Sequence, residues 1–123
     1  MTSSPLMTVS AGAVLPTDSQ LDEFDIESYL LKHPRQSFYI VVDGSSMEGR
    51  GVSHGDILVI DKTLTPHDGS IIIARVGDGF TVKQYDTSLG RLRLVPANAA
   101  YSPIEPLEGS ILCGVATFVI KRL

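Results

Sequence analysis

From Ser37 to the C-terminus the chain falls into short apolar runs, "SFYIVV", "DILVID", "SIIIARV", "GFTVKQYD", "RLRLVPA" and "SILCGVATFVIKRL", separated by glycine, proline and aspartate. Runs rich in β-branched and aromatic residues and bounded by turn formers read as strands, and several in succession predict a compact all-β domain. In "VGDGFTVKQYD" the Gly77-Asp78-Gly79 cluster supplies residues that tolerate positive φ, so 71–76 and 80–86 are predicted to form a hairpin. "RLRLV" alternates, which places Arg91 and Arg93 on one face of a strand and Leu92 and Leu94 on the other.

Residues 1–36 follow a different pattern. "MTSSPLMTVSAGAVLPTDSQ" is small, polar and interrupted by proline, and predicts an extended N-terminal arm rather than part of a core. A brief helix is expected at its end, with Asp25 as N-cap, Glu27 in the first turn, Lys32 and His33 near the last turn and Pro34 as the stop. Two turns are marginal in isolation, so Ile26, Tyr29 and Leu30 are expected to dock on the β domain. The predicted organisation is an arm over 1–36 and a β domain over 37–123, within the size of one domain for 123 residues.

Composition excludes several function classes. The net charge is −4, and residues 1–36 carry five acids against two bases, so an arm that binds DNA phosphates is not expected. No apolar run approaches the roughly 18 to 20 residues that cross a bilayer, and the N-terminus lacks a basic segment followed by a long apolar one. With a single cysteine, Cys113, no internal disulfide is possible, and a reducing, cytoplasmic setting is expected. Scattered histidines and one cysteine give no metal-ligand spacing, so neither metal nor cofactor is expected.

The stretch "VDGSSMEGRGVSHGD" places Ser45 and Ser46 on a glycine-rich turn between two apolar runs. It reads either as a connector, with Ser45 and Glu48 as a one-turn capping box, or as the seat of a reactive hydroxyl. A serine nucleophile needs a base to take its proton. His54 and His67 leave a Ser-His-Asp arrangement open, because its members need not be neighbours in sequence. Of four lysines, Lys83 alone lies mid-strand, sharing a face with Thr81 and Tyr85. It reads either as a solvated edge lysine or as a base. Holding an amine of pKa near 10.4 neutral at pH 7 costs roughly 4 to 5 kcal/mol, and burial can lower a lysine pKa by about 3 to 5, which is enough.

The G-x-S-M turn with "GVSHGDILVID", then "GSIIIARVGDGFTVKQY" and "LVPANAAYSPI", in this order and spacing, resembles the UmuD/LexA family of self-cleaving Ser-Lys peptidases over roughly Phe38 to Arg122. The resemblance implies a mainly β, β-clip type domain. By it, Ser46 matches the nucleophile and Lys83 the general base, with the backbone N–H groups of Ser45 and Ser46 expected as the oxyanion site. It makes "AGAVLP" the cleavage region and Ala11-Gly12 the scissile bond; small side chains there let the carbonyl come within about 3 to 3.5 Å of the serine oxygen. Also implied are a homodimer, activation by a RecA–single-stranded DNA filament, and a cleaved form serving a Y-family translesion polymerase in the SOS response. Dimerisation is expected at a hairpin edge or the C-terminal strand. Two departures stand out: the arm ahead of the cleavage site is short, and Ser45 replaces a common aspartate. A non-enzymatic polymerase accessory subunit, and a Ser-Lys peptidase acting on other proteins, are the alternatives.

Overall fold

Each of the six predicted runs holds a strand. The computed structural model describes residues 8–12, 24–107 and 109–123; the rest of the predicted arm lies outside them. The strands are β1 (Ser37–Val41), β2 (Ile57–Asp61), β3 (Ile71–Val76), β4 (Gly79–Asp86), β5 (Arg93–Val95) and β6 (Ile111–Ile120). They form one antiparallel sheet in the order β1-β2-β6-β3-β4-β5. The fold is therefore mainly β, as expected, and the hairpin turns through Gly77 at φ 61°, a conformation that costs glycine little.

Strands buried on both faces read as continuous apolar runs instead of alternating ones, and "IIIA" of β3 shows why. Ile73 packs with Val42, Met47, Val52, Leu58 and Ile60, while Ile72 and Ala74 turn to the other face and pack with Leu94 and Val115. β6 joins the two halves of the sheet: Val115–Ile120 pair with β2, and Ile111–Val115 pair with β3. Both ladders shift register, between Val59 and Ile60 and between Ile73 and Ala74. Such irregularities bend and twist a sheet. As a result β1 and β4, with three strands between them in the order, line a common cleft.

Helix α1 (Ile26–Leu30) starts as expected: the Asp25 carboxylate accepts hydrogen bonds from the Ser28 N–H (3.2 Å) and the Ser28 hydroxyl (2.7 Å). It ends earlier than expected, however. Lys32 and His33 lie beyond it, and Pro34 opens a separate 3-10 turn over Pro34–Gln36 rather than closing the helix. The residue before a proline is pushed out of the α region, and His33 sits at φ −129°, ψ 74°. Docking also differs in detail. Tyr29 makes tilted ring contacts with Phe24 and Phe118, centroids 5.5 Å apart on each side, yet it stays about half exposed, and Ile26 is exposed as well.

A polar tie fixes the segment after the helix to the end of β2. His33 Nδ1 lies 2.8 Å from the buried Asp61 carboxylate, which also accepts from the Thr63 N–H and hydroxyl. Burial on its own would raise the Asp61 pKa, but the hydrogen bonds from His33 and Thr63 outweigh it and hold the carboxyl at about 2. Because this value is below the ordinary 3.8, the contribution to stability is complete above pH 3.8 and is lost as pH falls through about 2. Asp61→Asn is expected to lower the melting temperature at pH 7 and to flatten its decline between those pH values. An unchanged acid slope in thermal unfolding would contradict this account of Asp61.

Candidate active site

The turn 43–47 runs from the end of β1 into a 3-10 turn at Glu48–Arg50 and is held from several sides. Met47, 1% exposed, anchors it in the core. The Gly44 N–H reaches His54 Nδ1 at 3.1 Å, and the Ala97 N–H donates to the Ser46 carbonyl at 2.7 Å. The Asn98 side-chain amide donates to the Ser45 carbonyl at 2.9 Å, and the Ser45 and Tyr101 hydroxyls are 3.0 Å apart. The Gly49 N–H donates to the Ala97 carbonyl at 2.7 Å, and the approach is so close that a Cβ on residue 49 would sit 2.5 Å from that oxygen. The capping-box alternative is not formed, since no side chain caps the 3-10 turn and the Ser45 hydroxyl is turned to Tyr101.

Across the cleft, β4 presents Lys83. Its Nζ is 2.9 Å from Ser46 Oγ, 2.9 Å from Thr81 Oγ1 and 3.1 Å from the Val82 carbonyl oxygen. The residue is 8% exposed, so it is not the solvated edge lysine that its strand position also allowed. Burial lowers its pKa below the ordinary 10.5. The three neighbours suit both protonation states. An ammonium donates to all three; a neutral amine donates to Thr81 and Val82 and offers its lone pair to the Ser46 hydroxyl proton.

The cleft around this pair has a volume of about 520 Å³. Its walls are apolar, from Phe38, Ile40, Val42, Met47, Ile73 and Val82, and its polar groups are Asp43, Ser46, Thr81 and Lys83. An apolar wall beside an amine is what penalises the ammonium. Among the described residues, no acceptor meets the backbone N–H of Ser45 or Ser46. The turn therefore keeps two donors available beside the hydroxyl.

The sequence profile of the family described as Peptidase S24-like matches residues 5–115. The chain belongs to the peptidase S24-like family. The UmuD/LexA resemblance is thereby borne out. Protein SamA of Salmonella typhimurium is 34% identical over 121 residues, spanning 96% of this chain and 86% of SamA. The LexA repressor of Stenotrophomonas maltophilia is 34% identical over 99 residues, covering 80% of this chain and 47% of the repressor. That of Paracidovorax citrulli is 31% identical over 117 residues, covering 93% and 52%. The chain spans about half the length of the LexA repressors it matches.

Within this peptidase S24-like domain, the structure brings together Ser45, Ser46 and Lys83. Ala11 and Gly12 are exposed and are not part of the cleft lining; the Gly12 N–H makes a local hydrogen bond to Ser10 Oγ at 3.1 Å. Neither histidine considered as a base is bonded to Ser46. His54 Nδ1 faces the Gly44 N–H and Asp43, and His67 Nδ1 faces Ser70 Oγ. No group of three or more histidine, cysteine, aspartate or glutamate side chains is placed to hold a metal ion among the described residues, and none of their helices is long and apolar enough to cross a membrane. Sequence reasoning assigned no role to Asn98 or Tyr101, although both lie in the quoted "NAAYSPI" stretch. Their partners lie more than fifty residues away, and no spacing rule connects them.

Proposed function

We propose that the chain is a serine endopeptidase that cuts its own arm between Ala11 and Gly12, with Ser46 as nucleophile and Lys83 as general base. The observation that carries this reading is the 2.9 Å approach of a buried lysine amine to a serine hydroxyl at an apolar cleft. Neutral Lys83 takes the Ser46 proton as Oγ attacks the Ala11 carbonyl carbon, and the resulting oxyanion is held by the N–H groups of Ser45 and Ser46. The Lys83 ammonium returns that proton to the Gly12 nitrogen as the peptide bond breaks, leaving residues 1–11 as an ester on Ser46. Water, deprotonated by Lys83, hydrolyses the ester and restores both side chains. The other product is residues 12–123.

The scissile segment docks as an added strand. Support comes from β4, whose side away from β3 carries no strand over Phe80–Lys83 among the described residues, since β5 pairs only with Gln84–Asp86. Gly12 and Gln36 are separated by 24 residues, enough at about 3.3 Å each to reach Ser46 of the same subunit or of a partner. The chain forms a homodimer. The expected C-terminal strand is paired on both sides at Val115, but among the described residues the β6 edge opposite β2 is unpaired from Ala116 to Ile120, and it supplies the surface for a second copy.

Similarity to SamA and to LexA repressors, together with the UmuD/LexA resemblance, supports the wider role: a cytoplasmic SOS-response protein activated by a RecA–single-stranded DNA filament. Its shortened form then serves as accessory subunit of an error-prone Y-family translesion polymerase. The acidic balance of the chain fits protein partners in preference to direct sequence-specific DNA binding.

Incubation of the purified chain at pH near 10, where more Lys83 is neutral, tests the reading. Mass spectrometry is expected to find residues 12–123 accumulating faster than at pH 7. A cut at another bond would overturn the cleavage-site assignment, and a chain that stays whole at both pH values would favour the non-enzymatic accessory role.

A further inference from the structure

We infer that Asn98 is a positioning residue that aims the Ser46 N–H at the developing oxyanion, acting through the carbonyl of Ser45. The inference rests on the Ser-Lys peptidase reading and adds a residue to that same site.

A trans peptide is rigid, and its C=O and N–H point in opposite directions. The Ser45 carbonyl and the Ser46 N–H belong to one such plane, so whatever holds the carbonyl also sets the direction of the N–H. Asn98 Nδ2 donates to the Ser45 oxygen at 2.9 Å. The only other donor to that oxygen among the described residues is the Glu48 N–H, at a longer 3.3 Å.

Asn98 is itself held in the donating orientation. Its Oδ1 accepts the Ala100 N–H at 3.0 Å, which leaves the NH₂ group facing Ser45. The backbone beside it is tied to the same turn, through the Ala97 N–H to the Ser46 carbonyl and the Gly49 N–H to the Ala97 carbonyl. Donation to a carbonyl also polarises the amide it belongs to, which strengthens the N–H on the opposite side of the plane. Since the Ser46 N–H meets no acceptor among the described residues, this effect falls on the proposed oxyanion.

Two substitutions separate aiming from space-filling. Asn98→Asp keeps the shape and the acceptor for Ala100 but turns a carboxylate oxygen toward the Ser45 carbonyl, whereas Asn98→Ala removes the donor and leaves space. Deleting an oxyanion donor outright slows catalysis by about 10² to 10³, and losing its aim is expected to slow self-cleavage by roughly 10- to 100-fold in Asn98→Ala. Asn98→Asp is expected to be slower still. In Asn98→Ala the pH at which the rate reaches half its maximum should match the wild type, because Lys83 is untouched, whereas the added carboxylate of Asn98→Asp is expected to favour the ammonium and move that pH up; thermal unfolding should confirm a folded chain in both.

Cleavage in a folded Asn98→Asp chain that equals or exceeds that of Asn98→Ala would overturn the proposal. So would a shift of the pH profile in Asn98→Ala that accounts for its whole loss. Failure of the underlying reading appears separately, as cleavage that survives Ser46→Ala.

Discussion

Lys83→Met abolishes self-cleavage while leaving the fold intact. The expected loss is at least about 10³-fold, because a serine hydroxyl without a base is a poor nucleophile and general-base catalysis alone is worth about 10² to 10⁴. Methionine suits the site, since it is of similar length, apolar and faces the wall formed by Ile73 and Val82. The stability change has the opposite sign to the activity change. Burial lowers the Lys83 pKa below 10.5, so the folded chain binds fewer protons than the unfolded one between that lowered value and 10.5. Stability therefore rises with pH across that window, and below it the buried ammonium weighs fully against the fold. Removing the amine is expected to raise the melting temperature at pH 7 and to flatten the rise toward pH 10. Thermal unfolding at the two pH values, with product analysis by mass spectrometry, checks both parts. Cleavage persisting in Lys83→Met would exclude lysine as the base.

The second large effect is expected at Gly49. A Cβ there would lie 2.5 Å from the Ala97 carbonyl oxygen and 3.3 Å from its carbon, and both are backbone atoms with no rotamer through which to move away. Gly49→Ala must therefore push the 97–101 loop and the serine turn apart. Overpacking of this kind costs about 1 to 3 kcal/mol, and the loss of the Gly49–Ala97 hydrogen bond adds about 1 kcal/mol. The functional loss should exceed what the stability loss explains. The displaced loop carries the Ala97 and Asn98 donors to the carbonyls of Ser46 and Ser45, so cleavage by the still-folded fraction is expected to fall by at least about tenfold. Denaturant unfolding and cleavage rates on the same preparation decide this. A stable Gly49→Ala chain that cleaves at the wild-type rate would show that the contact between turn and loop does not matter.

The strands were legible in the sequence because their signal is local. Apolar runs bounded by Gly, Pro and Asp mark all six, and Gly77-Asp78 marks the hairpin. Asp25 as N-cap was legible for the same reason. The early end of α1 was not, because a five-residue helix is decided by what it docks against, and Tyr29 reaches Phe118 from nearly ninety residues away. Ser46 and Lys83 could be singled out by residue type and strand position, yet composition and spacing left a connector and a solvated lysine open. The register of β4 beside the twisted sheet, which puts Lys83 opposite the serine turn, is a tertiary fact. Asn98 and Tyr101 were illegible in principle, since each acts through a contact that forms only when the 97–101 loop folds over residues 45–46.

Activation of Ser46 depends on one titration, that of Lys83. The chain has four lysines, and the amine resonances of each can be followed against pH by NMR in the 12–123 form, where nothing remains to cut. Lys83 is predicted to titrate below its ordinary 10.5, at the same pH that governs the self-cleavage rate of the full chain. A Lys83 that titrates near its ordinary 10.5, while cleavage follows a different pH, would contradict the mechanism.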